Sequence, residues 1–266
     1  MTRLTEVLAA ARAENRAALV GYLPAGYPSA EGSAEAARAM VDGGCDVIEI
    51  GLPYSDPQMD GPVIQRAVEH ALANGVNTHH VIDNARAVAE TGAAALVMTY
   101  WNPVERYGVD RFAEELAAAG GAGVITPDLI PDEAADWIAA TDKHGLDRIF
   151  LVAPSSTDAR LKLTTDVCGG FVYAASTMGI TGTRTSVGNR AAELVARTRE
   201  VTELPICVGL GVSNAAQAAE IAAYADGVIV GSAFVRALLD APTPEAGVEA
   251  VRALAAELAE GVRAGR

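Results

Sequence analysis

Residues 47–65 read VIEIGLPYSDPQMDGPVIQ. The stretch opens as a short strand, Val47-Ile48-Glu49-Ile50, and passes through a loop holding Pro53, Asp56 and Pro57. It closes on Asp60-Gly61-Pro62, a helix-start pattern, because proline tolerates the first helical turn. Strand, loop and helix in that order form one step of an alternating α/β fold. Working outward, β-rich runs recur at 19–23, 47–52, 95–100, 123–127, 148–153, 171–176, 205–210 and 227–230. Segments with 3.6-residue apolar spacing fall between and after them, at 30–41, 63–73, 81–89, 111–118, 133–143, 191–199, 215–223 and 245–258. The longest gap, between the second and third runs, holds two helices split by Asn74-Gly75. Alternation implies parallel strands joined by right-handed crossovers, and eight units predict a closed (β/α)8 TIM barrel. Residues 1–15 read as an additional N-terminal helix, and no linker divides the chain, so 1–266 is expected to be one domain.

The bulk numbers agree. A length of 266 residues, half of them hydrophobic, suits a barrel of roughly 250 residues with a large core. A net charge of −14 argues against nucleic acid and anionic membrane surfaces, which require basic patches, but leaves room for small anions held by backbone N–H groups. Cys45, Cys168 and Cys207 are too widely spaced for a metal motif and read as reduced thiols of a cytoplasmic protein. The N-terminal segment is too broken by Arg and Glu for a signal peptide, and no apolar run reaches the roughly 20 residues of a membrane span. Neither a G-x-S-x-G elbow nor a phosphate-binding P-loop is present. Lys143 and Lys162 are placed on helices, which disfavours a Schiff-base aldolase.

In such barrels the active site lies at the carboxyl ends of the strands. Glu49 shares a strand face with Val47 and Gly51, and if that face lines the barrel its carboxyl sits among apolar side chains. Burial raises a carboxyl pKa and can poise it for proton transfer near neutrality. The competing reading is a structural ion pair or a protonated core carboxyl. Asp60, eleven residues on, is a candidate second carboxylate with a different task, or a helix cap. Tyr173, alternating with Phe171 and Ala175, can reach the same cavity or belong to the core. Gly179 and Gly182 follow the sixth run, Gly209-Leu210-Gly211 the seventh and Gly231-Ser232 the eighth. One such glycine can simply make a turn; three glycine-bearing loops at consecutive strand ends favour a phosphate cradle.

These motifs together resemble the tryptophan synthase α-subunit family. The matching pieces run in family order over nearly the whole chain: 21–28 (GYLPAGYP), 49–62 (EIGLPYSDPQMDGP), Tyr100-Trp101-Asn102-Pro103, Asp128-Leu129-Ile130-Pro131, Gly179-Ile180-Thr181-Gly182, Gly209-Leu210-Gly211-Val212-Ser213 and Gly231-Ser232-Ala233. The resemblance implies retro-aldol cleavage of indole-3-glycerol phosphate to indole and glyceraldehyde 3-phosphate. It assigns Glu49 as general acid/base, Asp60 as partner of the indole N–H and Tyr173 as the residue that places Glu49. Gly182, Gly211, Gly231 and Ser232 match the phosphate site, and Tyr22, Met98, Ile125, Leu151, Leu210 and Ile229 the apolar indole pocket. It also implies an αββα heterotetramer in which pyridoxal phosphate belongs to the β subunit, with no cofactor or metal in this chain. The β-facing surface would comprise 53–61, Asn102-Pro103 and 128–131, and the loop 177–186 would act as a lid. Gln58-Met59, where the family commonly has Leu-Ala, and Ala175-Ser176-Thr177-Met178 after the sixth strand depart from the pattern and bear on coupling and loop closure. A free-standing lyase, a sugar-phosphate isomerase barrel, and a silent barrel that only activates a β subunit stay open as alternatives.

Overall fold

The computed structural model describes residues 1–175, 188–209 and 211–266. Its strands are β1 (Ala18–Pro24), β2 (Val47–Gly51), β3 (Ala94–Met98), β4 (Gly123–Ile125), β5 (Asp147–Ile149), β6 (Leu151–Val152), β7 (Val172–Ala175), β8 (Ile206–Gly209) and β9 (Gly227–Val230). They form one sheet in the order β5-β4-β3-β2-β1-β9-β8-β7-β6, and every adjacent pair is parallel. β5 and β6 are two pieces of one run interrupted at Phe150, so chain continuity joins the two edges of the sheet into a barrel of eight strand runs.

The helices are α1 (Arg3–Ala13), α2 (Ala30–Asp42), α3 (Pro62–Ala73), α4 (Thr78–Ala89), α5 (Trp101–Tyr107), α6 (Val109–Ala118), α7 (Ala135–His144), α8 (Asp158–Val167), α9 (Gly188–Arg199), α10 (Ala215–Ala222), α11 (Ser232–Asp240) and α12 (Pro244–Ala264). Among the described residues, no helix is long and apolar enough to cross a membrane. The turn expected at Asn74-Gly75 is present: Asn74 ends α3 and Gly75 takes φ +77°, a left-handed conformation that glycine adopts without a Cβ clash. Asn77 then caps α4, with the His80 side chain completing a capping box.

Three helices escape the apolar-spacing pattern. Asn102-Pro103 reads as a turn, yet in α5 the proline sits in the first helical turn, where its missing N–H costs nothing. α8 buries Thr164 and Thr165 beside Leu161, so two of its inward positions are polar. α11 begins directly at Ser232, after the single glycine that follows the last strand.

Two apolar layers hold the barrel. Ile48 and Ile50 pack outward against the helices, whereas Val47 joins the inner cluster with Val20, Ala94, Leu96, Phe171, Cys207 and Ile229. Strand alternation therefore directs Glu49 and Gly51 inward above Val47. From α1, Leu4, Leu8 and Ala11 enter the same inner cluster. The helix thus packs onto the amino end of the barrel, and each buried leucine contributes ~1.5–3 kcal/mol of hydrophobic stabilisation.

Candidate active site

At the carboxyl end the inner layer changes character. Glu49 lies opposite Tyr22 of β1 on one side and Leu96 of β3 on the other. The residue is only 1% exposed. Among the described residues its Oε1 has no hydrogen-bond partner. Loss of hydration pushes the carboxyl up to about 8, so it holds its proton at neutral pH.

Two tyrosines flank it, Tyr22 buried and Tyr173 partly buried, each fitted against a glycine of a neighbouring strand. A Cβ on Gly51 would come 2.3 Å from the Tyr22 Oη, and one on Gly209 would come 2.6 Å from the Tyr173 Oη. The glycines leave the space that the phenols occupy. Burial raises both phenols well above their ordinary pKa. The Glu49 carboxylate adds to that rise at Tyr173, and the charges of Asp60 and then Glu49 add to it at Tyr22. Both hydroxyls consequently remain neutral donors.

Asp60 stands just before Gly61, the N-cap of α3. Burial raises its carboxyl, while a hydrogen bond donated by the Tyr100 hydroxyl acts in the opposite direction. That hydroxyl also accepts from the backbone N–H groups of Gln58 (3.0 Å) and Met59 (2.9 Å), pinning the loop that delivers Asp60. Sequence reasoning gave Tyr100 no site role; its signal was a lone tyrosine just past a strand end, where loop-organising residues are expected. Nearby segments are tied in series. Asn102 Nδ2 donates to the Tyr54 hydroxyl (3.1 Å), and the Asp128 carboxylate accepts from Trp101 N at the start of α5 (2.9 and 3.1 Å). Met59 and Ile130 project from these segments as exposed apolar side chains.

The residues expected at an apolar pocket lie as follows. Ile125 and Ile229 are buried in the inner cluster, and Met98, Leu151 and Tyr173 pack against it. Tyr22 closes the Glu49 side. Gly211 and Ser232 line one cavity of about 600 Å³, together with the start of α3. Gly211 takes φ +68°, and the space where a Cβ would lie is open. Gly231 is the N-cap of α11 and has no side chain to cap the first-turn backbone donors. Leu210, Gly182 and the loop 177–186 lie outside the described residues. Among those described, no group of three or more His, Cys, Asp or Glu is arranged to hold a metal ion.

A buried carboxyl with one unpartnered oxygen, a second carboxylate on a pinned loop, buried apolar side chains and a glycine-lined cavity at a helix end thus share one end of the barrel. The model of the family described as "Tryptophan synthase alpha chain" matches residues 8–263. The chain belongs to that family. It is 63% identical to the tryptophan synthase alpha chain of Thermobifida fusca, covering 99% of each chain. It is 62% identical to that of Streptomyces coelicolor, over 98% of this chain and 96% of the relative. Among solved structures, Mycobacterium tuberculosis tryptophan synthase superposes with a TM-score of 0.93 at 58% identity, covering 98% of both chains. The alpha chain from Legionella pneumophila still gives 0.88 at 31% identity, covering 98% of this chain and 97% of that one. Family membership accounts for the barrel and for the order of its loop motifs.

Proposed function

We propose that Glu49, Asp60 and Tyr173 carry out the retro-aldol cleavage of indole-3-glycerol phosphate, the lyase step that membership of this family gives the chain in tryptophan biosynthesis. The observation that carries the assignment is the buried Glu49 carboxyl with an unpartnered Oε1, held protonated at neutral pH. As a general acid it gives its proton to indole C3. Asp60 accepts a hydrogen bond from the indole N–H and stabilises the positive charge that appears on the ring. Glu49, now a carboxylate, takes the proton from the hydroxyl of the adjacent side-chain carbon. The C–C bond breaks, its electron pair returns to the ring, and indole and glyceraldehyde 3-phosphate leave with Glu49 again protonated. The Tyr173 hydroxyl orients the carboxyl between the two transfers.

Met98, Ile125, Leu151, Ile229 and Tyr22 form the pocket for the ring, with Leu210 completing it. Gly211, Gly231 and Ser232, with Gly182, hold the phosphate through backbone donors. The 266 residues act as one domain, in the cytoplasm, beside a β subunit in an αββα assembly. Pyridoxal phosphate belongs to that subunit. Segments 53–61, 102–103 and 128–131, linked through Tyr54, Tyr100 and Asp128, form the β-facing rim.

The test is indole release from indole-3-glycerol phosphate by the purified chain, with and without a tryptophan synthase β subunit. Slow release that rises sharply with β supports the assignment. Rapid release indifferent to β identifies a free-standing lyase, and no release in either case rejects it.

A further inference from the structure

The phosphate cradle has a charge deficit that backbone groups alone do not close. A phosphate ester carries about −1.5 to −2 at pH 7. The cavity of about 600 Å³ at Gly211 and Ser232 is also lined by Gly61, Pro62, Val63 and Ile64, so the amino ends of both α3 and α11 face it. Neither helix has a side-chain cap. Each terminus offers roughly +0.5 of an elementary charge, about +1 together. A remaining charge of about −0.5 to −1 is left to be matched within a protein whose net charge is −14.

One cation lines that cavity among the described residues: Arg236. It is exposed and has no hydrogen-bond or ion-pair partner among them. It lies four residues after Ser232 on α11, which puts the two on the same helix face about 6 Å apart along the axis. Long helical side chains lean toward the helix amino end, the direction of Ser232, and both residues line the same cavity. Asp240, a further turn along, also lines the cavity and supplies the only carboxylate there among the described residues.

We propose that Arg236 is a specificity-determining residue for the substrate, supplying the full positive charge that selects a phosphate ester over its neutral counterpart. The inference rests on the phosphate site proposed above.

The test uses the purified chain saturated with β subunit and measures inhibition of indole release by inorganic phosphate and by indole, a neutral probe. Arg236→Gln is expected to weaken phosphate inhibition and raise KM for indole-3-glycerol phosphate by about three- to tenfold, with kcat falling less than twofold. Inhibition by indole stays as in the parent. Arg236→Lys recovers most of the loss, and the gap between parent and Arg236→Gln narrows in 0.5 M NaCl, because such salt screens exposed charges within a few ångströms. Asp240→Asn shifts phosphate inhibition the other way. Gly211→Val, which crowds the backbone cradle itself, separates the two levels of the argument. Parent-like phosphate inhibition in Arg236→Gln with loss in Gly211→Val overturns the role of Arg236 and keeps the phosphate site. Parent-like inhibition in both variants overturns the site and the inference with it.

Discussion

Replacing Glu49 with glutamine is expected to abolish cleavage and, at the same time, to stabilise the fold in a pH-dependent way. The carboxyl titrates near 8 in the folded protein against an ordinary 4.5. Below pH 4.5 both folded and unfolded chains hold the proton, so the group's stabilising contribution is intact. As pH rises above 4.5 the unfolded chain releases its proton while the folded chain keeps it, and folding loses ground. Above pH 8 both states are ionised and the loss stops growing. At ~1.4 kcal/mol per pH unit, the interval is worth about 5 kcal/mol in all and about 3 kcal/mol by pH 7. Glutamine does not titrate and escapes this loss. Urea unfolding of parent and Glu49→Gln, followed by circular dichroism at fixed pH values from 4 to 9, reads the difference directly. Any constant offset from exchanging an amide for a carboxyl cancels in its pH dependence. The difference is expected to be flat below about 4.5, to climb toward pH 8 and then to level. A difference flat from pH 5 to 8 would refute the reasoning, since it would place Glu49 in a hydrated or ion-paired setting.

Four further outcomes follow from the same geometry. In the parent, kcat is expected to fall as pH rises through about 8, because Glu49, the proposed acid, is then ionised; a pH–rate profile of the β-saturated chain checks this. Asp60→Asn lowers kcat by about 100-fold through loss of the charge facing the ring, measured by single-turnover indole release. Tyr100→Phe frees Gln58 and Met59 and removes a donor to Asp60, costing ~1.5–3 kcal/mol of transition-state stabilisation, read as a roughly tenfold or greater loss in kcat/KM. Leu8→Ala, at the other end of the barrel, destabilises folding by ~2–5 kcal/mol in urea titrations while leaving KM unchanged.

The alternation of strands and helices was legible because apolar runs and 3.6-residue spacing are local properties, and eight such runs had one economical closure. Two of the helices that escaped have a partly polar inward face, as in α8, or a proline at the start, as in α5; the third, α11, buries Phe234, Val235 and Leu238 but starts one residue after the glycine that follows the last strand. Glu49 could be singled out because one carboxylate in an apolar strand is a local anomaly. Tyr100 could not be assigned its role, since its importance lies in three partners on a loop some 40 residues earlier, and no spacing rule encodes that proximity. The pairing of Tyr22 with Gly51 and of Tyr173 with Gly209 is likewise set by strand register. A sequence shows the glycine but not the ring that fills its place.

A single strand displays the division of labour within the barrel. Along β2 the inward positions run Val47, Glu49, Gly51: an apolar contact, a buried acid, then a gap for the Tyr22 ring. The lowest layer is closed by Leu4, Leu8 and Ala11 of α1, where burial is purely stabilising. One step higher the same dryness is unfavourable for Glu49, and that unfavourable term is what holds a proton on a carboxyl at neutral pH. Hydration of the pocket would lower the carboxyl toward its ordinary value, leaving an ionised base that cannot start the reaction. On the proposed mechanism, the apolar side chains of Met98, Ile125 and Leu151 therefore serve proton transfer as well as ring binding. A polar replacement such as Ile125→Thr is accordingly expected to move the alkaline limb of the pH–rate profile downward from about 8, rather than only to weaken KM. An unchanged limb with a raised KM would confine Ile125 to binding the ring.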